Sequence, residues 1–357
     1  MKPPAILSCL SNHCILQPGS DDDAAAGDAA GDAAAAPPLP APLQVPANEC
    51  ASCPKQIKFD SVPLHGGFTL LRGRINASEI LGISNSDLVP GKYEGGFKLW
   101  ECAIDLVDTL RREIQDGQLS FRGKRVLEVG CGHGLPGILA CIKGASVVHF
   151  QDFNAEVLKC LTIPNVHANL DYARARLSQS TDALTPTRST VIAPEVQYFA
   201  GDWDNVGCLL STVKSSADDR DTIDGSSAVT DASEPEMIRS ESQTELSRSR
   251  KRSGSRACDS RREESVDEGG YDVVLMSETI YSVSSFPKLY ALMAKCLRPY
   301  YGVAYVAGKK HYFGVGGGTR LFKHMVEEQG VLGAHLVAEF ADGSSNVREI
   351  WKFFFKQ

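Results

Sequence analysis

The chain has 357 residues, of which 43% are hydrophobic and 23% are charged, values typical of a globular protein with one large or two small domains. Its net charge of -7 argues against general binding of the whole chain to nucleic acid, and no apolar run predicts a membrane span. Eleven cysteines, an odd and scattered set, indicate reduced thiols inside the cell. Asn12 and His13 interrupt the first apolar stretch, so a secretory signal is not expected.

Residues 1–56 are predicted to be a disordered tail, because residues 19–47 are mostly Ala, Asp, Gly and Pro with little to bury. A C-x-x-C pair stands at residues 50–53 without a second pair or a histidine cluster nearby. Chance spacing is therefore favoured over a metal site, and no metal is expected. From Ile57 the composition becomes globular, and residues 62–83 are interpreted as short strands or a docking segment.

A helix is predicted from Leu99 to Arg112, where apolar residues recur at helical spacing. The preceding Tyr93-Glu94-Gly95-Gly96 is unusual before a helix that only packs against a core. Trp100 is accordingly interpreted either as a core residue or as the wall of a ligand pocket.

The central motif is RVLEVGCGHGLPGI, residues 125–138. An apolar strand leads into a turn with four glycines and then into an apolar helical pattern, which is the entry to an α/β nucleotide-type site. Glycines allow positive φ and close approach to a ligand, and Pro136 suits the first turn of a helix.

One carboxylate separates the two ligand classes that use such a turn. Residues 132–137 match the G-x-G-x-x-G pattern of dinucleotide sites, which alone is a weak signal. Glu128 at the carboxyl end of the strand would repel a pyrophosphate and suit a ligand with cationic groups. S-adenosylmethionine (SAM) carries an ammonium and a sulfonium, so the motif favours SAM over NAD. The alternative is a glycine turn that packs a helix on the sheet without a ligand.

Two further strands are predicted to end in carboxylates. Residues 146–150 precede Asp152, which lies about 20 residues past the glycines, where an acid binds ribose hydroxyls or caps the helix that we predict over residues 155–161. Residues 166–170 are expected to return towards the sheet. Residues 196–200 precede Gly201-Asp202-Trp203, where Asp202 could accept a hydrogen bond from an adenine amino group.

Residues 212–268 are predicted to be a disordered insertion, since they are Ser, Asp, Glu, Arg and Lys with scarcely an aromatic. Its basic stretch SRSRKRSGSR, residues 247–256, is a solvated linker, a nuclear address, a phosphorylation region or an RNA contact. Direct binding of nucleic acid is left open.

The last part of the chain continues the alternation of strands and helices. Strands are predicted at residues 271–276, 302–307, 336–340 and 349–355, and helices at residues 287–297 and 321–329. Ser277-Glu278-Thr279-Ile280-Tyr281 follows the first of these strands, where a methyl acceptor would meet the donor. The glycine-rich loop at residues 309–318 lacks the Gly-Lys-Ser/Thr of a phosphate loop and is interpreted as a flexible loop that faces the substrate.

Five stretches together resemble the protein-histidine N-methyltransferase family: KYEGGFKLWEC, VLEVGCGHGLPGI, FQDFN, SETIY and HYFGVGGG. The resemblance covers the chain from about Asp87 to residue 357 without the insertion, and the YEGG…WEC and YFGVGGG stretches are its more specific parts. It implies an α/β, Rossmann-like, seven-stranded SAM-dependent methyltransferase fold, with one catalytic domain over residues 57–211 and 269–357. It also implies a histidine of a large-subunit ribosomal protein as the substrate.

Carried over by motif, the resemblance implies SAM contacts at Leu99, Trp100, Glu101, Cys102, Ala103, Gly130, Gln151, Asp152, Phe153, Gly201, Asp202, Trp203 and Ser277. The central motif itself adds Glu128, Gly132 and Gly134. We expect a monomer without membrane contact, located in the cytoplasm and the nucleus.

Methyl transfer to histidine depends on the alignment of donor and acceptor more than on a general base. Methyl transfer from a sulfonium is an in-line displacement, and an imidazole with a pKa of about 6.5 is mostly neutral at pH 7. A group that accepts a hydrogen bond from one ring N–H would turn the other nitrogen towards the methyl group. Glu278, Asp202 and Glu101 are the candidates, and each could instead touch SAM or a helix N-terminus.

Two other functions stay open. A methyltransferase that acts on lysine or on a small molecule would have the same cofactor-binding residues. A lysine acceptor must first lose its proton, so the transfer rate would depend steeply on pH near neutrality. A non-catalytic binding module could use the basic insertion as its contact. The intact glycines and the acids at the strand ends argue against that module.

Overall fold

The computed structural model describes residues 39, 41–47, 57–83, 86–180, 193–212, 269–341, 343 and 346–357. Most of the predicted tail, the C-x-x-C pair at residues 50–53 and residues 213–268 of the predicted insertion lie outside the described residues. No helix among the described residues is long and apolar enough to cross a membrane.

The strands of the described part are β1 (Leu43–Val45), β2 (Lys58–Leu64), β3 (Phe68–Arg74), β4 (Arg125–Val129), β5 (Val147–Asp152), β6 (Glu195–Ala200), β7 (Val273–Ser277), β8 (Val303–Lys309), β9 (Leu332–Phe340) and β10 (Arg348–Phe355). Eight of them form one sheet in the order β1-β6-β5-β4-β7-β8-β10-β9. The five strands β4 to β8 pair in parallel, and β10 lies antiparallel between β8 and β9.

The helices are α1 (Ala77–Leu81), α2 (Glu101–Gln115), α3 (Leu135–Ile142), α4 (Ala155–Val157), α5 (Ile163–Ser180), α6 (Trp203–Thr212), α7 (Phe286–Cys296) and α8 (Thr319–Glu328), and a π-helical turn, Leu158–Thr162, joins α4 to α5. Helices α2, α3 and α5 share one hydrophobic core with the sheet, and α6, α7 and α8 share a second. Parallel strands need cover on both faces, and β4 and β7 are accordingly buried at every position but one each.

The seven strands β4 to β10 confirm the predicted Rossmann-like α/β fold, including the closing antiparallel pair. Two expectations are wrong. Strand β1 lies inside the predicted tail and pairs antiparallel with β6, which adds an eighth strand at the edge. Residues 166–170 do not return to the sheet but lie in the long helix α5.

The segment that the sequence predicts as short strands or a docking segment forms the hairpin β2–β3, which begins at Lys58, and the short helix α1. Two asparagines of α5 hold this hairpin. Asn169 accepts the N–H of Leu71 at 2.8 Å and donates to its carbonyl oxygen at 2.8 Å, and Asn165 accepts the N–H of Gly73 at 2.6 Å. The two side-chain amides thus form the hydrogen bonds to the backbone of β3 that a neighbouring strand would otherwise form.

The order of the strands sets the position of a ligand site. From β4 the chain adds β5 and β6 on one side, and the next strand, β7, pairs with the other side of β4, so the strand order reverses at β4. In open α/β sheets, ligands bind at the carboxyl ends of the strands beside such a reversal.

Candidate active site

A cavity of about 440 Å³ lies at the carboxyl ends of β4 to β7, where the strand order reverses. Thirteen of the predicted cofactor or orienting residues line it: Leu99, Trp100, Ala103, Gly130, Gly132, Gly134, Asp152, Phe153, Gly201, Asp202, Trp203, Ser277 and Glu278. Segments from four strand ends and from the start of α2 therefore converge on one space.

Glu128 does not line this cavity. It is only 1% exposed, and its Oε2 accepts the N–H of Gly137 at 2.7 Å. Burial raises the pKa of Glu128 well above its usual range. In this structure Glu128 lies behind the cavity lining, and its contact with the ligand stays a prediction. The carboxyl group instead holds the first turn of α3.

Gln151 also lies behind the cavity wall. Its Oε1 accepts the N–H of Gly130 at 3.2 Å and the indole N–H of Trp203 at 3.1 Å, while its Nε2 donates to the carbonyl of Gly201 at 2.9 Å. One buried amide side chain therefore ties the loops after β4 and β6 together. It positions three residues that do line the cavity, and its own contact with the cofactor stays a prediction.

Glu101 and Cys102 are the other two predicted site residues outside the lining. The carboxylate of Glu101 is 63% exposed and pairs with Lys309 at 3.6 Å, so it is not placed to orient an acceptor in the cavity. Cys102 is buried beside Glu278, and burial is the main reason that the pKa of its thiol lies well above the usual range. Neither side chain meets the cavity because α2 turns these positions away from it.

The amide groups of the glycine turn are already occupied. Gly130 donates to Gln151, Cys131 to the carbonyl of Gln151, Gly132 to Asp152, and Gly134 to the carbonyl of Cys131, at 2.7 to 3.2 Å. A phosphate-binding turn would present such N–H groups to its ligand. This turn uses them to fix its own shape, which disfavours a pyrophosphate ligand.

Asp152 is the buried carboxylate of the site. It lines the cavity at the end of β5, and it accepts the N–H groups of Gly132 at 2.9 Å and of Asn154 at 3.1 Å. Burial raises its pKa to about 6, although these N–H groups oppose the shift. The carboxylate is therefore mostly ionised at neutral pH and available to ribose hydroxyls.

The two lysines on the cavity wall are both paired with acids. Lys98 lies 2.5 Å from Asp87, and Lys288 lies 3.3 Å from Asp202 and 2.7 Å from Asp204. His133, which also lines the cavity, is buried, and its pKa falls to about 4, so the ring is neutral. Among the described residues of the wall, the deeply buried charge is the Asp152 carboxylate, which suits a cationic ligand.

Glu278 has an unusual backbone for a residue that is not glycine. Its φ is 58°, in the left-handed region, and its carboxylate Oε2 accepts the hydroxyl of Tyr312 at 2.5 Å. Its Oε1 is buried without a hydrogen-bond partner among the described residues, and so is Oγ1 of the neighbouring Thr279. Both residues line the cavity. Such strain and such unpartnered atoms indicate groups that a bound molecule would satisfy.

Glu94 and Tyr281 form a contact that the sequence did not predict. The hydroxyl of Tyr281 donates to Oε2 of Glu94, and both residues line the cavity. Burial raises the pKa of Glu94, while the bond from Tyr281 lowers it. The signal in the sequence is the acid between an aromatic residue and two glycines, which does not by itself identify a partner.

The loop at residues 309–318 packs against the segment after β7. The N–H of Gly317 donates to the carbonyl of Tyr281 at 2.9 Å, and Gly316 forms an antiparallel bridge with Ser282. A Cβ at Gly317 would lie 2.3 Å from the backbone of Tyr281, so glycine is needed for this approach. The glycines therefore serve close packing at this end of the loop, while Val315 lines the cavity.

The chain is similar to several known proteins. A Dictyostelium discoideum protein named histidine protein methyltransferase 1 homolog is 35% identical over 269 residues, which cover 75% of this chain and 60% of that one. The Bos taurus homolog is 32% identical over 269 residues, or 74% and 57% of the two chains. This chain thus spans about 60% of the length of these relatives. A Danio rerio protein named protein N-lysine methyltransferase METTL21A is 34% identical over 84 residues, or 24% and 35% of the two chains.

No protein-family model matches the chain. Among solved structures, a 16S rRNA N2 G1207 methyltransferase of T. thermophilus in complex with AdoMet and guanosine is 12% identical and covers 85% of this chain and 52% of its own, with a TM-score of 0.39. Over about three quarters of its length, then, the chain resembles the proteins named histidine protein methyltransferase 1, as its five motif stretches predicted.

Proposed function

We propose that the chain binds SAM in the cavity at the carboxyl ends of β4 to β7 and transfers its methyl group to a histidine of a protein. The observation that carries the cofactor part is the buried carboxylate of Asp152 beside a glycine turn whose amides are already bonded. The names of the relatives support the histidine part.

The residues of the cavity fit SAM group by group. Asp152 stands where ribose hydroxyls are bound in this class of fold, and Phe153, Asp202 and Trp203 offer apolar surface and a hydrogen-bond acceptor for adenine. Asp152 and Glu94 supply acidic surroundings for the ammonium and the sulfonium. SAM, when bound, supplies an activated methyl group.

The acceptor is oriented in this proposal by Glu278. Its Oε2 is held by Tyr312, which leaves Oε1 to accept the N–H of one nitrogen of a neutral imidazole. The other nitrogen would then attack the methyl carbon with its lone pair, while the carbon–sulfur bond would break and leave its electron pair on sulfur. The methylated imidazolium would lose its remaining ring N–H proton to solvent. No strong base is needed, because the acceptor attacks as the neutral ring.

The decisive experiment is transfer of labelled methyl groups from SAM into the proteins of isolated large ribosomal subunits, followed by mass spectrometry of the modified residue. We expect label on a histidine, and none after that histidine is replaced by alanine. Glu278→Gln should bind SAM like the wild type while transfer slows by at least tenfold. Label on lysine or arginine with none on histidine would overturn the histidine assignment and leave methyl transfer intact.

A second candidate is a lysine methyltransferase. The observation that favours it is the 84-residue similarity to a protein named as an N-lysine methyltransferase. Because a lysine ammonium must lose a proton before it attacks, the rate would rise steeply with pH above neutrality, whereas transfer to imidazole would be nearly flat there.

The finer parts of the proposal are the substrate, the compartment and the assembly state. The resemblance supports a large-subunit ribosomal protein as substrate, and the basic stretch at residues 247–256 supports presence in the nucleus as well as the cytoplasm. We propose a monomer. Sedimentation of the purified chain, and imaging of the chain with and without residues 247–256, test these points.

A further inference from the structure

Three large apolar side chains are exposed around the mouth of the cavity. Phe313 is 83% exposed, Val283 is 50% exposed and Val315 is 46% exposed. Val315 itself lines the cavity, and Val283 lies between two lining residues, Ser282 and Ser284. We call these three side chains the rim surface.

The rim surface is held together by the backbone. The antiparallel bridge between Ser282 and Gly316 brings Val283 and Val315 to the same end of that bridge. The hydrogen bond from Gly317 to Tyr281 fixes the neighbouring position. Phe313 stands two residues from Val315 in the same loop, and its ring centroid lies 6.4 Å from that of His311. The exposed apolar residues therefore belong to an ordered edge of the site.

The two lysines of the cavity wall beside the rim surface do not compete as recognition elements, because both are already paired with acids. Lys288 pairs with Asp202 and Asp204, and Lys98 pairs with Asp87. Clustered apolar side chains that remain exposed beside a site mark contact with a macromolecule. A small-molecule acceptor would instead be enclosed by the cavity walls.

We propose that the rim surface is the docking surface for the protein substrate, and that it binds an apolar side chain next to the acceptor histidine. This inference rests on the proposed function, since the histidine that enters the cavity brings its flanking residues across Val283, Phe313 and Val315. The occupant is an extended or looped segment of another protein, bound by apolar contact. Recognition of this kind distinguishes one histidine from the many others exposed on proteins.

The test uses the full chain with labelled SAM and two acceptors. One is a pool of synthetic peptides with a fixed central histidine and mixed flanking residues, and the other is N-acetylhistidine methylamide, which has no flanking side chains. Phe313→Ser and Val283→Ser should raise the KM for the peptide pool by about tenfold, leave the KM for SAM unchanged, and leave the rate on the small acceptor unchanged. Sequencing of the labelled peptides should show apolar residues enriched near the histidine.

The matched control is Tyr301→Ser. Tyr301 is 81% exposed, close to the value for Phe313. It precedes the amino end of β8, whereas the cavity lies at the carboxyl ends of the parallel strands. This variant should match the wild type with both acceptors. Equal peptide KM values in Phe313→Ser, Val283→Ser and wild type would overturn the docking surface alone. A wild-type chain that binds SAM but labels no histidine would overturn the proposed function and the docking surface together.

Discussion

The hydroxyl of Tyr281 donates a hydrogen bond to the carboxylate of Glu94, although the two residues are 187 positions apart in the chain. The bond joins the segment before α2 to the segment after β7 across the cavity wall.

Tyr281→Phe is expected to destabilise the fold through this bond. The half-buried carboxylate of Glu94 loses a donor, which should lower the free energy of unfolding by about 1–3 kcal/mol and raise the pKa of Glu94 further. Glu94→Gln combined with Tyr281→Phe should cost less than the sum of the two single changes. Urea unfolding of the four proteins measures the coupling. Strictly additive losses would show that the two side chains do not act as a pair.

The stability of the ligand-free chain is expected to depend on pH through Asp152. Burial raises its pKa from 3.8 to about 6, so between these values the folded chain keeps a proton that the unfolded chain has lost. The free energy of unfolding should therefore fall as pH rises through this window, by on the order of 3 kcal/mol in total. Asp152→Asn removes the titrating group and should flatten this part of the profile.

SAM binding should show the opposite trend over the same window, because the ionised Asp152 is the form that accepts ribose hydroxyls and favours a cation. The increase in Tm caused by SAM is expected to grow as pH rises from about 5 to about 7. Thermal unfolding with and without SAM checks this. A SAM-induced shift that is independent of pH would place the cofactor away from Asp152.

Gln151→Leu should weaken SAM binding although this side chain does not line the cavity. The change leaves the N–H of Gly130, the indole N–H of Trp203 and the carbonyl of Gly201 without their partner. We expect a loss of about 2–4 kcal/mol in the free energy of unfolding and about tenfold in SAM affinity. Calorimetric titration measures the affinity, with the exposed Gln118→Leu as the control that should change neither quantity.

Gly317→Ala tests the packing of the glycine-rich loop. The new Cβ would lie 2.3 Å from the backbone of Tyr281, which cannot move aside as a side chain could. The loop should separate from the segment after β7, with a loss of about 2 kcal/mol or more in stability and a loss of methyl transfer. Gly269→Ala, where a Cβ meets nothing within 4 Å, should behave like the wild type. Equal stability of the two variants would show that the close approach is not required.

Methyl transfer to the protein substrate should fall as pH drops through about 6.5 and be nearly flat above about pH 7, because protonation removes the lone pair of the imidazole. Initial rates at saturating SAM, measured across this pH range, give the profile. Asp152 is ionised at the upper end of the range. A rate that keeps rising about tenfold per pH unit above neutrality would indicate a lysine acceptor instead.

The order of the elements follows from local patterns that the sequence carries. The apolar run of β4, the four glycines and the apolar turns of α3 each act over a few residues, and the acids at residues 152 and 202 directly follow apolar strands. Parallel strands bring their carboxyl ends to one edge, so the composition of the cavity wall could be predicted without coordinates.

The directions of individual side chains were decided by the tertiary structure. Glu128 was expected to face the ligand, but β4 is covered on both faces, and its carboxyl group meets the N–H of Gly137 in α3 instead. Gln151 was expected at the cofactor and instead bonds to the loops after β4 and β6. A strand pattern gives the alternation of faces, but the partner on each face comes from other parts of the chain.

Contacts between distant segments could not be predicted from the sequence either, because their partners come from other parts of the chain. Strand β1 has three residues and no periodicity of its own, and it is a strand because the edge of β6 offers free hydrogen-bonding groups. The pair Glu94 and Tyr281, and the packing of Gly317 on Tyr281, likewise depend on loops that meet only after the sheet has formed. Local propensity and hydrophobic pattern determined the positions of the central strands and of the glycine turn, and the sequence shows directly which strands are followed by an acid. Long-range packing and hydrogen bonding decided which of those groups face the cavity, because both depend on positions that neighbours in the chain do not set.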